Sequence, residues 1–556
     1  MKELQKNIIN SGILMKKKTF LILQVLLLIS LLLSSCTIKQ TNNTQLPSKF
    51  ANVAIYSSKE DIRCVDLGGK NDRLLVSKDD VLKLYSKKEE FSELRLYPLC
   101  VSSDKHKLFF TKIIVQGSGN EGQNYYELFS IDVNLKNLKK LTNEELKVLR
   151  PYYSPDKSCV AFSVSNGNQS AIFTLQLSDG TFKKVTPWYD SKDIEAITNI
   201  TFSNDSKRIF FVITSGESYN LNMLNIENGA VKTIVTDAKG IDIYGWSYDG
   251  KMLAFTTTVS GRRYYDEKQE LCIVENDGSN FRILTELFYQ LLDLKWSNDS
   301  SKILFVHLGE PEAKELIPKN EFLGVVNSDG TSLKEIGGYD VIMGYWTEDS
   351  KKIVATIAED VHPELDNGKC AIYILDVESM KPVKITPYYS NIDKLIFHPT
   401  DKDKIIFTQG AFPYINTINI LNLSDKTIKT IASFDKNQNI LDIVFSSDYK
   451  KYLVDVKREI IENSEIIEQS YSILIYDADT NDVIRKFDSN DGEGIMYPEW
   501  LDSDNIIFEK FSSDPHGTTG SLRSICLFSV STGETIELNS KNLDLYDQWI
   551  VVSDGL

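Results

Sequence analysis

Histidine, cysteine and acidic side chains are the groups in this chain that could bind a metal or transfer protons. The 556 residues include five His, seven Cys and 78 Asp and Glu. The histidines are scattered, and no two of them have the spacing of a metal-ligand pair. They are His106, His307, His362, His398 and His516. We therefore expect no metal site and no other cofactor.

Two short segments approach reactive-site motifs but lack essential residues. Asp477-Ala-Asp-Thr-Asn-Asp482 begins like a calcium loop, yet it has Asp482 where Gly is needed and Asp488 in place of the final Glu. Gly216-Glu-Ser-Tyr-Asn220 lacks the second Gly of a nucleophile elbow. We interpret the first segment as a turn and predict no catalytic residues, so the chain is not expected to be an enzyme.

The composition excludes several classes of protein. The chain has 62 Lys and Arg against 78 Asp and Glu, a formal net charge of −16, and such a surface repels nucleic-acid phosphates. With 42 % hydrophobic and 25 % charged residues, it is neither a disordered chain nor a multi-span membrane protein. Its length exceeds one ordinary domain, so it must contain several domains or many repeated units.

The N-terminal region has the pattern of an export signal. A short apolar run at 20–33 follows three lysines at 16–18, which is typical of a secretory signal peptide. The run leads through Ser34 and Ser35 to Cys36. It resembles the bacterial lipoprotein signal, in which the peptide is removed before a cysteine that carries the lipid. An uncleaved membrane anchor is the alternative interpretation.

This resemblance implies a signal peptide at 1–35, lipidation of Cys36 and a flexible tether at 36–49. Both Met1 and Met15 fit as the start. Cleavage would remove five Lys and one Glu, which leaves 57 basic and 77 acidic residues and a net charge of −20. We expect the protein on the extracytoplasmic side of the cell membrane, held by acyl chains while its acidic surface stands off from the anionic lipids. The remaining six cysteines lie in apolar runs as small hydrophobic residues, and their spacing favours no particular disulfide.

A repeated motif organises the rest of the chain. An aromatic residue, Ser-x-Asp and an apolar run recur at intervals of 44 to 55 residues. The clearest copies are Tyr153-Ser-Pro-Asp156, Phe202-Ser-Asn-Asp205, Trp246-Ser-Tyr-Asp249, Trp296-Ser-Asn-Asp299 and Trp346-Thr-Glu-Asp349. Further copies are Phe397-His-Pro-Thr-Asp401, Phe445-Ser-Ser-Asp448, Trp500-Leu-Asp-Ser-Asp504 and, without the aromatic, Val101-Ser-Ser-Asp104. Ser and Asp favour turns, so we interpret these acidic residues, and His398 in place of a serine, as structural.

Each copy is followed by strand-like runs separated by turns, as in Lys302-Ile-Leu-Phe-Val306. Four short strands repeated every ~40–50 residues are typical of a β-propeller blade. The pattern resembles the TolB-like β-propeller repeat, whose motif is aromatic-Ser-Pro-Asp-Gly, then Ile-Ala-Phe, Ile-Tyr-x-x-Asp and a closing Leu-Thr. Gly follows the Asp only at Gly250; Lys or Ser usually replaces it. The resemblance implies an all-β propeller of four-stranded blades over 50–556.

The two ends of the repeat region complement each other. Residues 52–76 contain three strand-like runs without a first strand, and 545–552 supply a spare one. Their pairing would close a ring and remove exposed sheet edges. Nine copies and this composite unit predict about ten blades in one large ring, with two smaller propellers as the alternative.

The face that carries the second-to-third strand loops and the blade-to-blade links has nearly all of the long insertions. We call it the loop-rich face. Its links contain aromatic side chains that could stack on a sugar or grip a peptide, although packing between blades explains them equally well. The candidate binding residues are Trp188, Tyr189, Tyr289, Tyr388 and Tyr389.

These observations predict a lipid-anchored, non-enzymatic binding or scaffold propeller outside the cytoplasmic membrane. Its partner would be an envelope protein or a glycan, and no nucleic acid. The alternative is a carbohydrate-active enzyme, a lyase or glycosidase, with its site in the propeller funnel. Such an enzyme would need acidic side chains or a metal cluster that converge in the central channel.

Overall fold

The structure is a computed structural model that describes part of the chain. The described residues are 50, 52–58, 60–85, 94–116, 123–143, 146–260, 268–285, 288–309, 321–359, 369–411, 414–462, 465–490, 493–512, 523–539, 543 and 548–552. The predicted signal peptide, Cys36 and the tether lie outside them, as do most of the long insertions of the loop-rich face. Within these ranges, no helix has the length and apolar character needed to cross a membrane.

The described strands form ten antiparallel four-stranded blades, as the repeat predicts. Blade 1 contains β40, β1, β2 and β3 (Trp549–Val552, Val53–Ser58, Asp61–Asp66, Arg73–Val76), and blade 2 contains β4–β7 (Arg95–Val101, Lys107–Gln116, Gln123–Asp132, Lys139–Lys140). Blade 3 contains β8–β11 (Lys147–Tyr153, Cys159–Ser165, Gln169–Gln176, Phe182–Lys184) and the short additional strand β12 (Tyr189–Asp190). Blade 4 contains β13–β16 (Ala196–Phe202, Arg208–Ser215, Ser218–Asn225, Val231–Ala238), and blade 5 contains β17–β20 (Gly240–Trp246, Met252–Ser260, Lys268–Glu275, Arg282–Ile283).

Blades 6 to 10 continue the same order. Blade 6 contains β21–β24 (Phe288–Trp296, Lys302–Leu308, Glu321–Asn327, Lys334–Trp346), and blade 7 contains the second half of β24 with β25–β27 (Lys352–Glu359, Lys369–Asp376, Pro382–Lys384). Blade 8 contains β28–β31 (Asn391–Phe397, Lys404–Ala411, Tyr414–Asn422, Ile428–Ser433). Blade 9 contains β32–β35 (Gln438–Phe445, Lys451–Glu462, Glu465–Asp477, Val483–Asp488), and blade 10 contains β36–β39 (Glu493–Trp500, Asn505–Ser512, Arg523–Ser529, Thr535–Glu537). A short helix, α1 (Lys78–Leu82), lies between blades 1 and 2.

The blades close into one ring. Strand β40 pairs antiparallel with β1, with Val53 opposite Val552 and Tyr56 opposite Trp549. Among the described residues, each of the ten interfaces between successive blades has its own buried apolar cluster. The cluster around Tyr56, Ile507 and Leu527 joins blade 10 to blade 1. The single ring is therefore the arrangement present, and the alternative of two smaller propellers is wrong.

The Ser-x-Asp motif forms the turn between the first and second strands, as predicted. In blade 6, Ser297 Oγ donates to Asp299 Oδ1 at 2.6 Å and accepts from Lys302 N at 2.9 Å. Asp299 Oδ1 also accepts from Ser301 N at 2.9 Å. The same bonds recur in the motifs that begin at Ser102, Ser154, Ser203, Ser247, Thr347 and Ser446. The motif carboxylates therefore have a structural role in the turns. His398 has the expected turn role, because its Nδ1 accepts from Asp401 N at 3.2 Å.

The residue after the motif Asp has a left-handed conformation with φ between 56° and 69°. These residues are Lys105, Lys157, Ser206, Gly250, Ser300, Ser350 and Tyr449. Two of the serines that replace Gly form hydrogen bonds between adjacent blades. Ser300 Oγ accepts from Asp249 N at 3.0 Å, and Ser350 Oγ accepts from Asp299 N at 3.2 Å, so each joins one blade to the next.

The motif aromatics end the innermost strands and pack in the apolar clusters between blades. The indoles also bond across the interface. Trp346 Nε1 donates to Lys295 O at 3.0 Å, and Trp500 Nε1 donates to Val444 O at 2.9 Å. The six described cysteines are free and buried in the strand region.

The described residues of the charged segment 457–468 belong to two paired antiparallel strands. They extend β33 and β34, in which Arg458 faces Ser470 and Lys457 faces Tyr471. The alternation of charged and apolar residues suits a two-stranded ribbon, and Gln469 Nε2 donates to Glu459 Oε1 across it at 3.0 Å. The segment Asp477–Asp482 is the predicted turn, with Asp477 Oδ1 accepting from Asp479 N and Thr480 N.

Candidate functional site

The five predicted aromatics lie on the loop-rich face, after the fourth strands of blades 3, 5 and 7; Tyr289 is already in β21, the first strand of blade 6. In each of these three blades the fourth strand is short, and two residues beyond its end is a threonine whose Oγ1 accepts from an amide of the third strand. For Thr186 and Thr386 the donors are Ile172 N and Ile372 N, both at 2.9 Å. The link then folds back onto its own blade, where it pairs with the start of the third strand. The pairs are Tyr189 with Ser170, Tyr289 with Lys268 and Tyr389 with Cys370.

The described ring contacts of these residues stay within one blade or reach the adjacent one. Trp188 packs on Phe173 with ring centroids 5.7 Å apart, and Tyr389 packs on Phe407 at 5.6 Å. A lysine ammonium of the same blade lies over Trp188, Tyr289 and Tyr388. In the described part of the chain, no ring contact joins an aromatic link of one blade to that of another. The structure thus places the five residues on one face but does not bring them together into one aromatic patch.

Tyr189 is the predicted aromatic that lines a cavity. The cavity has a volume of about 370 Å³ and opens on the loop-rich face between blades 3 and 4. This volume is within the range of about 300–1,000 Å³ typical of ligand sites. Its lining is Tyr189, Ile194, Ile213, Asn220, Asn222, Thr233, Thr236 and Asp237. One aromatic ring, two amides, two hydroxyls and one carboxylate therefore surround the space.

The polar groups of this cavity are held by bonds to one another. Asn220 Oδ1 accepts from Asp237 N at 2.9 Å, Thr233 Oγ1 donates to Asn222 Oδ1 at 2.8 Å, and Asp237 Oδ1 accepts from Ser218 Oγ at 2.9 Å. Register shifts in the pairing of β15 with β16 turn these side chains toward the cavity, and Asp237 has φ 56°. Burial raises the pKa of Tyr189, so its hydroxyl is neutral at physiological pH and can donate or accept.

A second group of polar residues lines the central channel. In a propeller the first strand of each blade faces the channel. In nine blades this strand has a register shift relative to the second strand, and such bulges redirect side chains. In blades 8 to 10, Lys394, Asp442 and Glu499 lie at these shifts. The Lys394 ammonium is 3.2 Å from Asp442 Oδ1.

Asp455 lies behind Asp442 on the second strand of blade 9, where the two residues are direct cross-strand partners. Its side chain is buried, with 4 % of the residue exposed. Burial and the neighbouring Asp442 raise the pKa of Asp455 to about 7, although Lys394 acts in the opposite direction. Burial and Asp442 likewise raise the pKa of Glu499 to about 7. We call Asp442, Asp455 and Glu499 the channel acid cluster.

Neither the channel acid cluster nor the amides of the cavity were predicted from the sequence. A signal for Asp455 exists in the run Lys451-Tyr-Leu-Val-Asp-Val456, because a carboxylate there interrupts an otherwise apolar central strand. Asn220 and Asp237 have no such signal, since polar residues near strand ends are ordinary. Within the described residues, no group of three His, Cys, Asp or Glu side chains is arranged to hold a metal ion.

The fold and these sites define the class of protein. It is a closed ten-bladed β-propeller that has a cavity on its loop-rich face and charged side chains along its central channel. Comparison with known proteins supports the resemblance of the repeat. The chain is 27 % identical to a protein TolB homolog from Chlorobium chlorochromatii over 140 residues, which cover 24 % of this chain and 28 % of the relative. It thus spans only about a quarter of the length of that relative. No family model matches the chain.

Two solved structures were also found to have limited similarity to this chain. TolB from Acinetobacter baumannii is 12 % identical with a TM-score of 0.25, covering 67 % of this chain and 77 % of that one. The β-propeller domain of the Trilobed protease from Pyrococcus furiosus is 14 % identical with a TM-score of 0.32, covering 62 % and 98 %. The repeat is thus similar to that of a TolB homolog over part of the chain, and the described strands themselves have the β-propeller architecture.

Proposed function

We propose that this protein is a non-enzymatic binding propeller, held outside the cytoplasmic membrane by a lipid at Cys36. It would present its loop-rich face to an envelope protein or a glycan. The resemblance to TolB-like propellers supports a binding or scaffold role, and the export signal supports the envelope location. The lipid anchor and the identity of the partner are parts of the proposal.

The cavity at Tyr189 carries this proposal and favours a glycan over a protein partner. A flat ring beside amide, hydroxyl and carboxylate groups suits a saccharide, because the ring can cover an apolar sugar face while the polar groups bond its hydroxyls. Among the described residues, Asn220 Nδ2 and the second oxygen of Asp237 have no protein partner, so they are available to a ligand. A protein segment would need a larger and more continuous apolar surface than this cavity offers.

The test is a glycan array probed with the full-length protein, extracted in mild detergent, followed by a titration with each glycan that binds. Tyr189→Ala should weaken the binding about tenfold or more, since it removes the ring that covers the sugar. Asn220→Ala should weaken it by a smaller factor. Tyr248 is a matched control, because it is 68 % exposed and lies in the first-to-second strand turn on the opposite face. Tyr248→Ala should leave the affinity unchanged.

Two outcomes would contradict the assignment of this cavity. Glycan binding that survives Tyr189→Ala would place the site elsewhere. The absence of any glycan ligand, together with capture of an envelope protein that depends on the loop-rich face, would replace the glycan by a protein partner while the binding function stood.

A carbohydrate-active enzyme is the second candidate, and the channel acid cluster favours it. Carboxyl groups with a pKa of about 7 are suited to general acid catalysis, and Asp455 and Glu499 both have this property. The test is incubation of the full-length protein with neutral and acidic oligosaccharides, with new reducing ends and unsaturated products as readouts. Turnover that is abolished by Glu499→Gln would establish the enzyme, and no turnover would leave the binding function.

A further inference from the structure

Asp455 is an unusual residue for the interior of a propeller blade. It is on β33 between Val454 and Val456, both of which are buried in the blade core. Its Oδ1 is buried and has no hydrogen-bond partner among the described residues. A buried carboxylate without a partner is costly when ionised, so it either stays protonated or gains a cationic partner.

The residues around Asp455 make its ionised form still less favourable. Asp442 is its cross-strand partner, and the repulsion between the two carboxylates adds to the effect of burial. Asp442 also repels Glu499 on the first strand of blade 10. Lys394 is the cation described beside this cluster, and its ammonium contacts Asp442. Three carboxylates and one ammonium leave two negative charges uncompensated when all of them are ionised.

The cluster lies where a ligand can reach it. Asp442 has 54 % of its side chain exposed, and it lies at the shift of the inner strand of blade 9, which faces the channel. Buried Asp455 pairs with Asp442 across the two strands, and half-buried Glu499 is close enough to Asp442 to be repelled by it, so the three carboxyl groups lie together beside the channel. Further round the channel, Leu292 and Ile342 on the inner strands of blades 6 and 7 are 41 % and 48 % exposed, so the channel wall also has exposed apolar side chains.

The arrangement fits an organic cation better than a metal ion. A metal needs several ligand atoms that converge on one point, and the described residues contain no such group of three. An ammonium group has three donors that point in different directions, so it can bond carboxylates that are further apart. An aliphatic stem on the ammonium could also cover the apolar channel wall.

We propose that the channel acid cluster of Asp442, Asp455 and Glu499 is a binding subsite for a primary ammonium group. The ammonium belongs either to a free diamine or to a lysine side chain of a partner protein. The subsite is separate from the cavity at Tyr189, and it does not depend on the proposed glycan ligand.

The test is calorimetric titration of the full-length protein in mild detergent with two probes. One is 1,5-diaminopentane, and the other is a blocked tripeptide with a central lysine. Binding of either probe supports the subsite, and the tighter probe identifies the source of the ammonium. 1,5-Pentanediol, which has the same stem without charge, should not bind. Calcium and magnesium chlorides serve as the metal probes.

Variants locate the site. Glu499→Gln and Asp442→Asn should each weaken the binding of the better probe about tenfold or more, because each removes a charge that the ammonium contacts. Lys394→Met should instead strengthen it several-fold, since the competing ammonium is gone. Asp393 is the matched control, as it neighbours Lys394 on the same exposed bulge but is outside the cluster. Asp393→Asn should change the affinity by less than about twofold.

The dependence on pH gives a readout that a structural role would not produce. The groups that face Asp455 are Asp442 on β32, Lys394 on β28 and Tyr471 on β34, and Asp442 also faces Glu499. With pKa values of about 7, Asp455 and Glu499 must lose protons to bind a cation. Binding should therefore tighten from pH 6 to pH 8, with proton release seen as a heat that depends on the buffer.

Three results would overturn the proposal. The first is no binding of either amine by the folded wild-type protein, and the second is binding that Glu499→Gln and Asp442→Asn leave unchanged. The third is binding of calcium or magnesium that excludes the amines, which would make the cluster a metal site. Because Glu499 and Asp442 are partly exposed, their amide variants should fold, and a circular dichroism spectrum identical to that of the wild type verifies this.

Discussion

Trp549 Nε1 donates a 2.6 Å hydrogen bond to Glu509 Oε1, and this bond joins the C-terminal strand of blade 1 to blade 10. Glu509 is buried, and its other oxygen accepts from Arg523 at 2.7 Å. A strand from one end of the chain is thus attached to its neighbour by a charge-assisted bond as well as by its pairing with β1. Such bonds are among the stronger ones in proteins.

Removal of this indole donor should destabilise the closed ring. We expect Trp549→Phe to lower the free energy of unfolding by about 1.5–3 kcal/mol, because a bond to a charged acceptor is lost while the ring volume is largely retained. The measurement is the urea midpoint followed by near-ultraviolet circular dichroism. Trp246→Phe is the matched control, since its Nε1 is 3.4 Å from the neutral Thr201 Oγ1 and its loss should cost less. Equal effects of the two changes would refute a special role for the closure.

Glycine at a left-handed turn position should stabilise the protein where the side chain makes no bond. Tyr449 has φ 58° and is 48 % exposed, so Tyr449→Gly should raise the free energy of unfolding by about 1 kcal/mol. Ser300 has φ 61° but bonds Asp249 N in the preceding blade, so Ser300→Gly should give no gain or a loss of about 1 kcal/mol. Thermal midpoints of the two variants measure the difference. A gain at both positions would mean that the serine bond contributes nothing.

The channel acid cluster should make stability depend on pH near neutrality. The pKa of Asp455 is raised in the folded state to about 7 from its ordinary value of 3.8, so the folded state binds its proton more tightly than the unfolded chain does. This contribution is fully present below the unfolded pKa and is lost as pH rises through about 7. The protein should therefore be more stable at pH 6 than at pH 8 by about 1 kcal/mol from this group.

Asp455→Asn should remove that part of the pH dependence and stabilise the protein at pH 8. The measurement is the urea midpoint at pH 6, 7 and 8 for the wild type and the variant. Asp393→Asn should retain the wild-type dependence, because this residue lies outside the cluster. A slope that Asp455→Asn leaves intact would assign the pH dependence to other groups.

The proposed lipidation of Cys36 predicts that a variant without this cysteine will no longer be found in the membrane fraction. Cys36→Ala should move the protein from the membrane fraction to the soluble fraction in cells that process bacterial lipoproteins, because only a cysteine at this position can form the thioether. Cys64→Ala is the matched control: Cys64 is free and buried in β2, and this change should leave the protein in the membrane. Membrane association that survives Cys36→Ala would support the uncleaved anchor instead.

The repeat was sufficient to predict the elements of this fold and their function in the blades. Turn residues such as Ser297 and Asp299 act within six positions of one another, and the alternation of apolar residues is also local. Local chemistry repeated nine times is a strong signal even where a single copy is weak.

Only the tertiary structure decided which distant residues meet. Closure into a single ring depends on Val53 reaching Val552, and the sequence by itself left two smaller propellers open. The meeting of Asp442, Asp455 and Glu499, and that of Tyr189 with Asn220, depends on strand register, bulges and the angle between adjacent blades. These are set by the packing of whole sheets, so no short stretch of sequence contains them.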